Sequence, residues 1–151
     1  MTAPARPPGF LFLCVANSAR SQMAEGLARA RLGDSVRVQS AGSCAAGVNR
    51  LAVKALAELG IDISRQTSKT VDSIDPSTVD TVVTLCAEEV CPIALSGTRH
   101  LHWPLADPTA GGGSEEEQLE RFRKTRDELK NRIETLGPVK EIGRPGTYNG
   151  K

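Results

Sequence analysis

The stretch FLFLCVANSARSQMAEG, residues 10–26, passes from an apolar run through a polar one and into the start of a helix. That order is the opening half of a strand–loop–helix unit, and it restricts the folds open to the chain because the same punctuation recurs downstream. Short apolar runs near Phe10–Cys14, Val36–Ser40, Thr81–Leu85 and His100–Trp103 predict strands. Amphipathic stretches near Ser21–Leu32, Asn49–Leu59 and Glu115–Leu136 predict helices. In the last of these, Leu119, Phe122, Leu129, Ile133 and Leu136 recur at gaps of three, four or seven and so share one face. Arg126 is the one charge on that stripe and is expected to snorkel at the helix edge. Parallel crossovers are right-handed, so the expected product is an α/β three-layer sandwich, a four-stranded parallel sheet with helices on both faces. Ligands of such sheets sit at the carboxyl ends of the strands.

The chain of 151 residues suffices for one domain with a proper core. Residues 1–8, with three prolines, and residues 137–151, rich in Gly and Pro, read as tails around a single catalytic domain at 9–136. A net charge of +1 gives no reason to expect nucleic acid or an anionic membrane surface as partner. No apolar run approaches the roughly 18 residues of a membrane span, and the start MTAPARPPG lacks the apolar core of a signal peptide. The expectation is a cytoplasmic protein. In that setting four cysteines argue against a structural disulfide framework and for catalytic, redox-active or metal-binding thiols, with plain burial open for any one of them.

If Cys14 ends the first strand and Arg20 begins the next helix, Val15–Ala19 must form a loop turning about an empty centre lined by backbone N–H groups. The positive end of the helix and the planar guanidinium of Arg20 make such a loop a cradle for a tetrahedral oxyanion. The candidate oxyanion-binding residues are therefore Val15, Ala16, Asn17, Ser18, Ala19, Arg20 and Ser21. Cys14 lies at the floor, where the same amides and Arg20 favour its thiolate, a nucleophile. Asn17 and Ser18 tolerate the left-handed backbone that such a loop needs. Ser21 can hydrogen-bond the thiolate or cap the helix. A Cys-x5-Arg spacing arises by chance in a chain with this composition, so its position between strand and helix carries the reading.

CVANSARSQMAEG resembles the signature of the low-molecular-weight protein tyrosine phosphatase fold, and in particular its arsenate reductase branch. VQSAGS, GIDISRQTSK, TLCAEEVCP and HWPLADP fall where that branch has matching segments, so the resemblance covers roughly residues 10–136. Phosphate and arsenate are near-isosteric, and phosphate or sulfate would compete for the same loop. A phosphorylated thiol can only be hydrolysed, whereas arsenic(V) on sulfur can accept two electrons if another thiolate attacks that sulfur. The resemblance implies that Cys86 attacks Cys14 and that Cys91 then attacks Cys86; the final disulfide must be opened by an external dithiol, for which thioredoxin is expected and glutathione with glutaredoxin is the alternative. It implies no bound cofactor. A phosphatase acting on phosphate esters is the alternative. Were residues 86–91 helical, the rise alone would separate the two Cα atoms by about 7.5 Å, beyond the usual disulfide limit of about 6.8 Å, so the segment must be a loop or unwind. Pro92 discourages helix there.

Asp107, in HWPLADP, can protonate the oxygen that leaves arsenic; an ordinary Asp-Pro turn is the plainer reading. Thr109 and Ala110 follow it where phosphotyrosine-specific members have aromatic residues, and the chain's one tyrosine, Tyr148, lies in the tail. Cys86 and Cys91 with His100 and His102 would also make a conceivable zinc set, though strand histidines are commonly just half-buried polar residues. The spacing between Cys86 and Cys91 is shorter than that branch usually has. Lys69 stands where potassium-binding members have an acid, among Asn17, Glu25, Ser40 and Thr67, so its ammonium is expected in the cation's place, without a potassium requirement; a solvated surface charge is the plainer reading. Cys44 matches no catalytic position and is expected to be a small residue packed in its loop.

Overall fold

The computed structural model describes residues 7–86 and 98–136. Gly9–Cys14 (β1), Arg37–Gly42 (β2), Thr81–Cys86 (β3) and Arg99–Leu105 (β4) form one sheet in the order β2-β1-β3-β4, every pair parallel. The α-helices among the described residues are Arg20–Leu32 (α1), Arg50–Ala57 (α2) and Glu115–Glu134 (α3). Each predicted strand and helix is present, with ends displaced by a few residues. Asn49 stands outside α2 as its N-cap, its Oδ1 accepting from the Leu51 N–H at 2.7 Å. α3 opens on a reciprocal capping box between Ser114 and Glu117, and Glu115–Glu117 place negative charge at the positive end of the helix.

Side chains alternate across the sheet. Phe10, Phe12 and Cys14 enter one core with Met23 and Leu27 of α1, Leu51 and Leu56 of α2, and Leu119 and Phe122 of α3. Leu11 and Leu13 enter a smaller core with Val82, Ile74 and Val79 on the other face. Among the described residues the layers are unequal: α1, α2 and α3 share one face, and short 3₁₀ turns at Val71–Ser73 and Pro76–Thr78 help to cover the other. α1 is buried over Arg20–Ala28 and at Leu32, and a side chain at Gly26 would strike those of Ile63 and Leu56.

Arg126 departs from the expected snorkel. It is 8% exposed, and its guanidinium donates to Ala55 O at 2.9 Å and Glu58 Oε1 at 2.8 Å. The last carbonyls of α2 lack partners within their helix, and that end of α2 supplies an acceptor closer than water. Among the described residues no helix is long and apolar enough to cross a membrane.

The strand order positions the site. From β1 the chain moves outward to β2 and then returns across to β3, so the crevice for a ligand lies at the carboxyl ends of β1 and β3. The loop after Cys14 occupies it.

Candidate active site

Backbone accounting shows which way the loop faces. Val15 O accepts from Cys44 N at 3.0 Å and Ser43 Oγ at 3.2 Å, and Ala16 O from Ala46 N at 3.0 Å. Asn17 O accepts from Gln22 Nε2 and Ser68 Oγ, Ser18 O from Asn49 N at 2.9 Å, and Ala19 O from Met23 N at 2.9 Å. Every carbonyl from Val15 to Ala19 is thus tied to surrounding chain, while no N–H of these five residues donates to another group among the described residues. A cavity of about 170 Å³ lies on the loop, lined by Cys14, Val15, Ala16, Ser18, Ala19, Arg20, Ala46, Asp107 and Thr109. A larger concavity, about 960 Å³ around Arg29, Arg37 and Arg65, is lined by none of these.

Cys14 is a free thiol, 2% exposed, with its Sγ 2.8 Å from Ser21 Oγ. Ser21 therefore serves the sulfur and lies within α1, whose N-cap is Ala19. Of the two residues expected to adopt left-handed backbone, only Asn17 does, at φ 47°. Its side chain explains why that conformation persists: Nδ2 donates to Ser21 Oγ at 2.8 Å and Ser40 Oγ at 3.0 Å, and Oδ1 accepts from Lys69 N at 2.7 Å and Gln22 Nε2 at 3.0 Å. Ser40 Oγ continues the chain to Glu25 Oε1 at 2.6 Å. Lys69 Nζ lies 3.9 Å from that same oxygen and donates to Thr67 O at 3.1 Å. The residues read together from sequence, Asn17, Glu25, Ser40, Thr67 and Lys69, are thus assembled in space. Gly42 lies against the loop so closely that a Cβ would come 2.5 Å from Val15 O, which requires glycine there.

Arg20, 5% exposed, donates from Nη1 to Leu105 O at 2.8 Å, and its Nη2 lies 4.0 Å from Asp107 Oδ2. The register between β3 and β4 explains this meeting. Thr84 pairs with His102 but Cys86 pairs with Leu105, so β4 carries one extra residue, a bulge that includes Pro104 or its neighbours and re-aims the chain at the rim. Asp107 Oδ1 accepts from Thr109 N at 2.9 Å and Thr109 Oγ1 at 2.7 Å, an Asp-Pro turn with its second oxygen toward Arg20. Turn and site residue are the same group.

Cys86 ends β3, adjacent to β1, and is 2% exposed and disulfide-bonded. Since Leu13 pairs with Thr84, Cys86 lies one residue beyond the position opposite Cys14. Cys91 and Pro92 lie outside the described residues. His100 and His102 are both exposed, correcting the half-buried expectation, and His102 Nδ1 is 2.7 Å from Thr84 Oγ1. Cys44 is a free, exposed thiol and not packed into its loop; its backbone N–H is what the fold uses. Sequence patterns did not reveal Gln22, Gln66 and Ser68, because their partners lie across the fold. Their only signal was a run of polar residues in segments otherwise expected to be partly buried.

A family model for low molecular weight phosphotyrosine protein phosphatases matches residues 9–145, reaching past residue 136. An arsenate reductase of Halalkalibacterium halodurans is 51% identical over 127 residues, spanning 83% of this chain and 91% of that protein. A solved arsenate reductase in the phosphate-binding state superposes with a TM-score of 0.74 at 33% identity, over 90% of this chain and 99% of the other. A thioredoxin-dependent arsenate reductase of Corynebacterium glutamicum gives 0.61 at 30% identity, over 89% of this chain and 66% of the other. With an N–H-lined loop at the switch point of a four-stranded parallel sheet and a family match over nearly its whole length, the chain belongs to the low molecular weight phosphotyrosine protein phosphatase family.

Proposed function

We propose that the chain is an arsenate reductase reset by thioredoxin. The observation that carries this reading is the convergence of Cys14, Arg20 and Asp107 on one small cavity lined, among the described residues, by no aromatic side chain, in a chain similar to arsenate reductases. Arsenate binds the N–H groups of Val15–Ala19 and the Arg20 guanidinium, with Ser21 holding the sulfur. The Cys14 thiolate attacks arsenic, and Asp107 gives a proton to the oxygen that departs as water. Cys86 then attacks Cys14 Sγ. The sulfur–arsenic bond breaks, its electron pair stays on arsenic, and arsenic(V) leaves as arsenite while a Cys14–Cys86 disulfide forms. Attack by Cys91 on Cys86 frees Cys14. The position of Cys86 on the same rim as Cys14, and its engagement in a disulfide, support its place in this relay.

A relay ending in a disulfide within one chain needs an external dithiol, which thioredoxin supplies and a single small thiol does not. The similarity to a thioredoxin-dependent reductase supports this choice. The test is multiple turnover with thioredoxin, thioredoxin reductase and NADPH against glutathione with glutaredoxin, for the wild type and Cys91→Ser. Arsenite release sustained only by thioredoxin, and lost in Cys91→Ser, is expected. Sustained turnover of Cys91→Ser, or activity only with glutaredoxin, overturns the donor while leaving Cys14 as nucleophile. Hydrolysis of phosphate esters is the second reading, favoured by the family match itself. It requires Cys14, Arg20 and Asp107 but not Cys86.

A further inference from the structure

We propose that Gln22 is a positioning residue that fixes the direction of the Ser18 N–H toward the oxyanion; the inference rests on the loop being the anion site. Gln22 is 0% exposed, so its amide must place two N–H bonds and one oxygen inside the protein. Nε2 lies 3.1 Å from Asn17 O, 3.0 Å from Asn17 Oδ1 and 3.0 Å from Thr67 O, while Oε1 accepts from Gln66 Nε2 at 2.8 Å. Gln66 Nε2 also donates to Gln22 O at 3.0 Å. Only one orientation of the Gln22 amide works, because exchanging O and N would set an acceptor against three oxygens.

The consequence follows from peptide geometry. Asn17 C=O and Ser18 N–H belong to one trans peptide unit and point in opposite directions. With Gln22 and Ser68 donating to Asn17 O from behind, the Ser18 N–H is turned to the other side, and Ser18 lines the cavity. Rotation of that peptide would withdraw a donor from the anion and present a carbonyl oxygen in its place. The left-handed Asn17, at φ 47°, makes this peptide the strained one in the loop, so it depends on being held. Gln66 holds Gln22 in turn.

The test is calorimetric titration of the full chain with inorganic phosphate, for wild type, Gln22→Met, Gln22→Glu and Gln66→Met, beside thermal unfolding of each. Gln22→Met is expected to weaken phosphate about tenfold and Gln66→Met about threefold. Gln22→Glu is the decisive variant. An ionised carboxylate facing Asn17 O repels it and accepts a turned Ser18 N–H, whereas a protonated carboxyl can donate to Asn17 O. Its affinity relative to wild type should therefore be lowest near pH 8 and recover as pH falls to 5, which a loss of packing alone would not do. Wild-type affinity in folded Gln22→Met and Gln22→Glu, or a Gln22→Glu deficit indifferent to pH, overturns the proposal. Should both Gln22 variants fail to fold, unchanged phosphate affinity in Gln66→Met, whose side chain is partly exposed, overturns it as well. A wild-type chain that does not bind phosphate defeats the oxyanion-loop reading itself and is recognised without any variant.

Discussion

Two polar clusters of this fold are built alike and do different work. Behind the loop, Asn17, Gln22, Ser40 and Glu25 bond one another and neighbouring backbone at 0–3% exposure. Between α2 and α3, Glu58 is shared by Arg123 and Arg126 at 2.8 Å each, with the Glu58 side chain 35% exposed. Water can replace a lost partner of Glu58 or Arg123 in the second cluster, where Arg126 is the buried member, and is largely excluded from the first. Removing one member of a buried network leaves the others unsatisfied, so its geometry is enforced strongly; an exposed ion pair is screened and contributes modestly. The buried cluster accordingly fixes one backbone shape, and the more exposed one joins two helices.

The largest expected effect leaves both clusters intact. Cys14→Ser should lower arsenate reduction and any phosphate-ester hydrolysis by more than about a thousandfold, since the nucleophile is lost. Cys86→Ser should abolish reduction alone. Arsenite release and p-nitrophenyl phosphate hydrolysis, measured side by side, separate the two, and normal arsenate turnover by Cys86→Ser would break the relay. Next comes the buried network. Asn17→Ala removes four side-chain hydrogen bonds and should destabilise the chain by about 3 kcal/mol in urea unfolding, with weakened phosphate binding. A cost below about 0.5 kcal/mol would put this cluster on the same footing as the exposed one.

At the margin between the two stands Lys69, 28% exposed beside the buried Glu25. With the ammonium in place, exchanging sodium for potassium should leave the melting temperature of the wild type unchanged. Lys69→Met vacates that place and should acquire a potassium stabilisation of about 1 kcal/mol. Potassium that stabilises the wild type refutes the substitution of ammonium for metal.

The smallest effect belongs to Glu58. Hydrogen bonds from Arg123, and next from Arg126, hold its carboxyl at about 2 against an ordinary 4.5. A depressed carboxylate contributes stability that is fully present above the ordinary value and is lost as pH falls through the folded one. The difference in melting temperature between wild type and Glu58→Gln should thus be small and constant above pH 5 and shrink between pH 4.5 and 2. A difference that grows on acidification would show that the exposed pairs act by some other route.

Much of this protein is written locally. The apolar run at Phe10–Cys14, the helix-forming RSQMAEG and the acidic, capped start of α3 determine their elements because strand burial, helix entry and capping involve residues a few positions apart. Cys14, Arg20 and the Val15–Ala19 loop were legible for the same reason: strand, loop and helix N-terminus are contiguous. Asp107 could be read only as a turn or an acid, since its approach to Arg20 depends on a bulge between β3 and β4 that no local pattern encodes. The burial of Arg126 was hidden because its acceptor, Ala55 O, lies 71 residues away. The outward ties of the loop carbonyls, and the amide pair Gln22–Gln66 behind Asn17, were decided by tertiary structure alone. Sequence fixes which groups can donate and accept; only the packing of α1 against the 66–69 segment brings a donor behind one particular carbonyl, excludes the water that would otherwise compete, and so chooses the direction in which the loop presents its N–H groups.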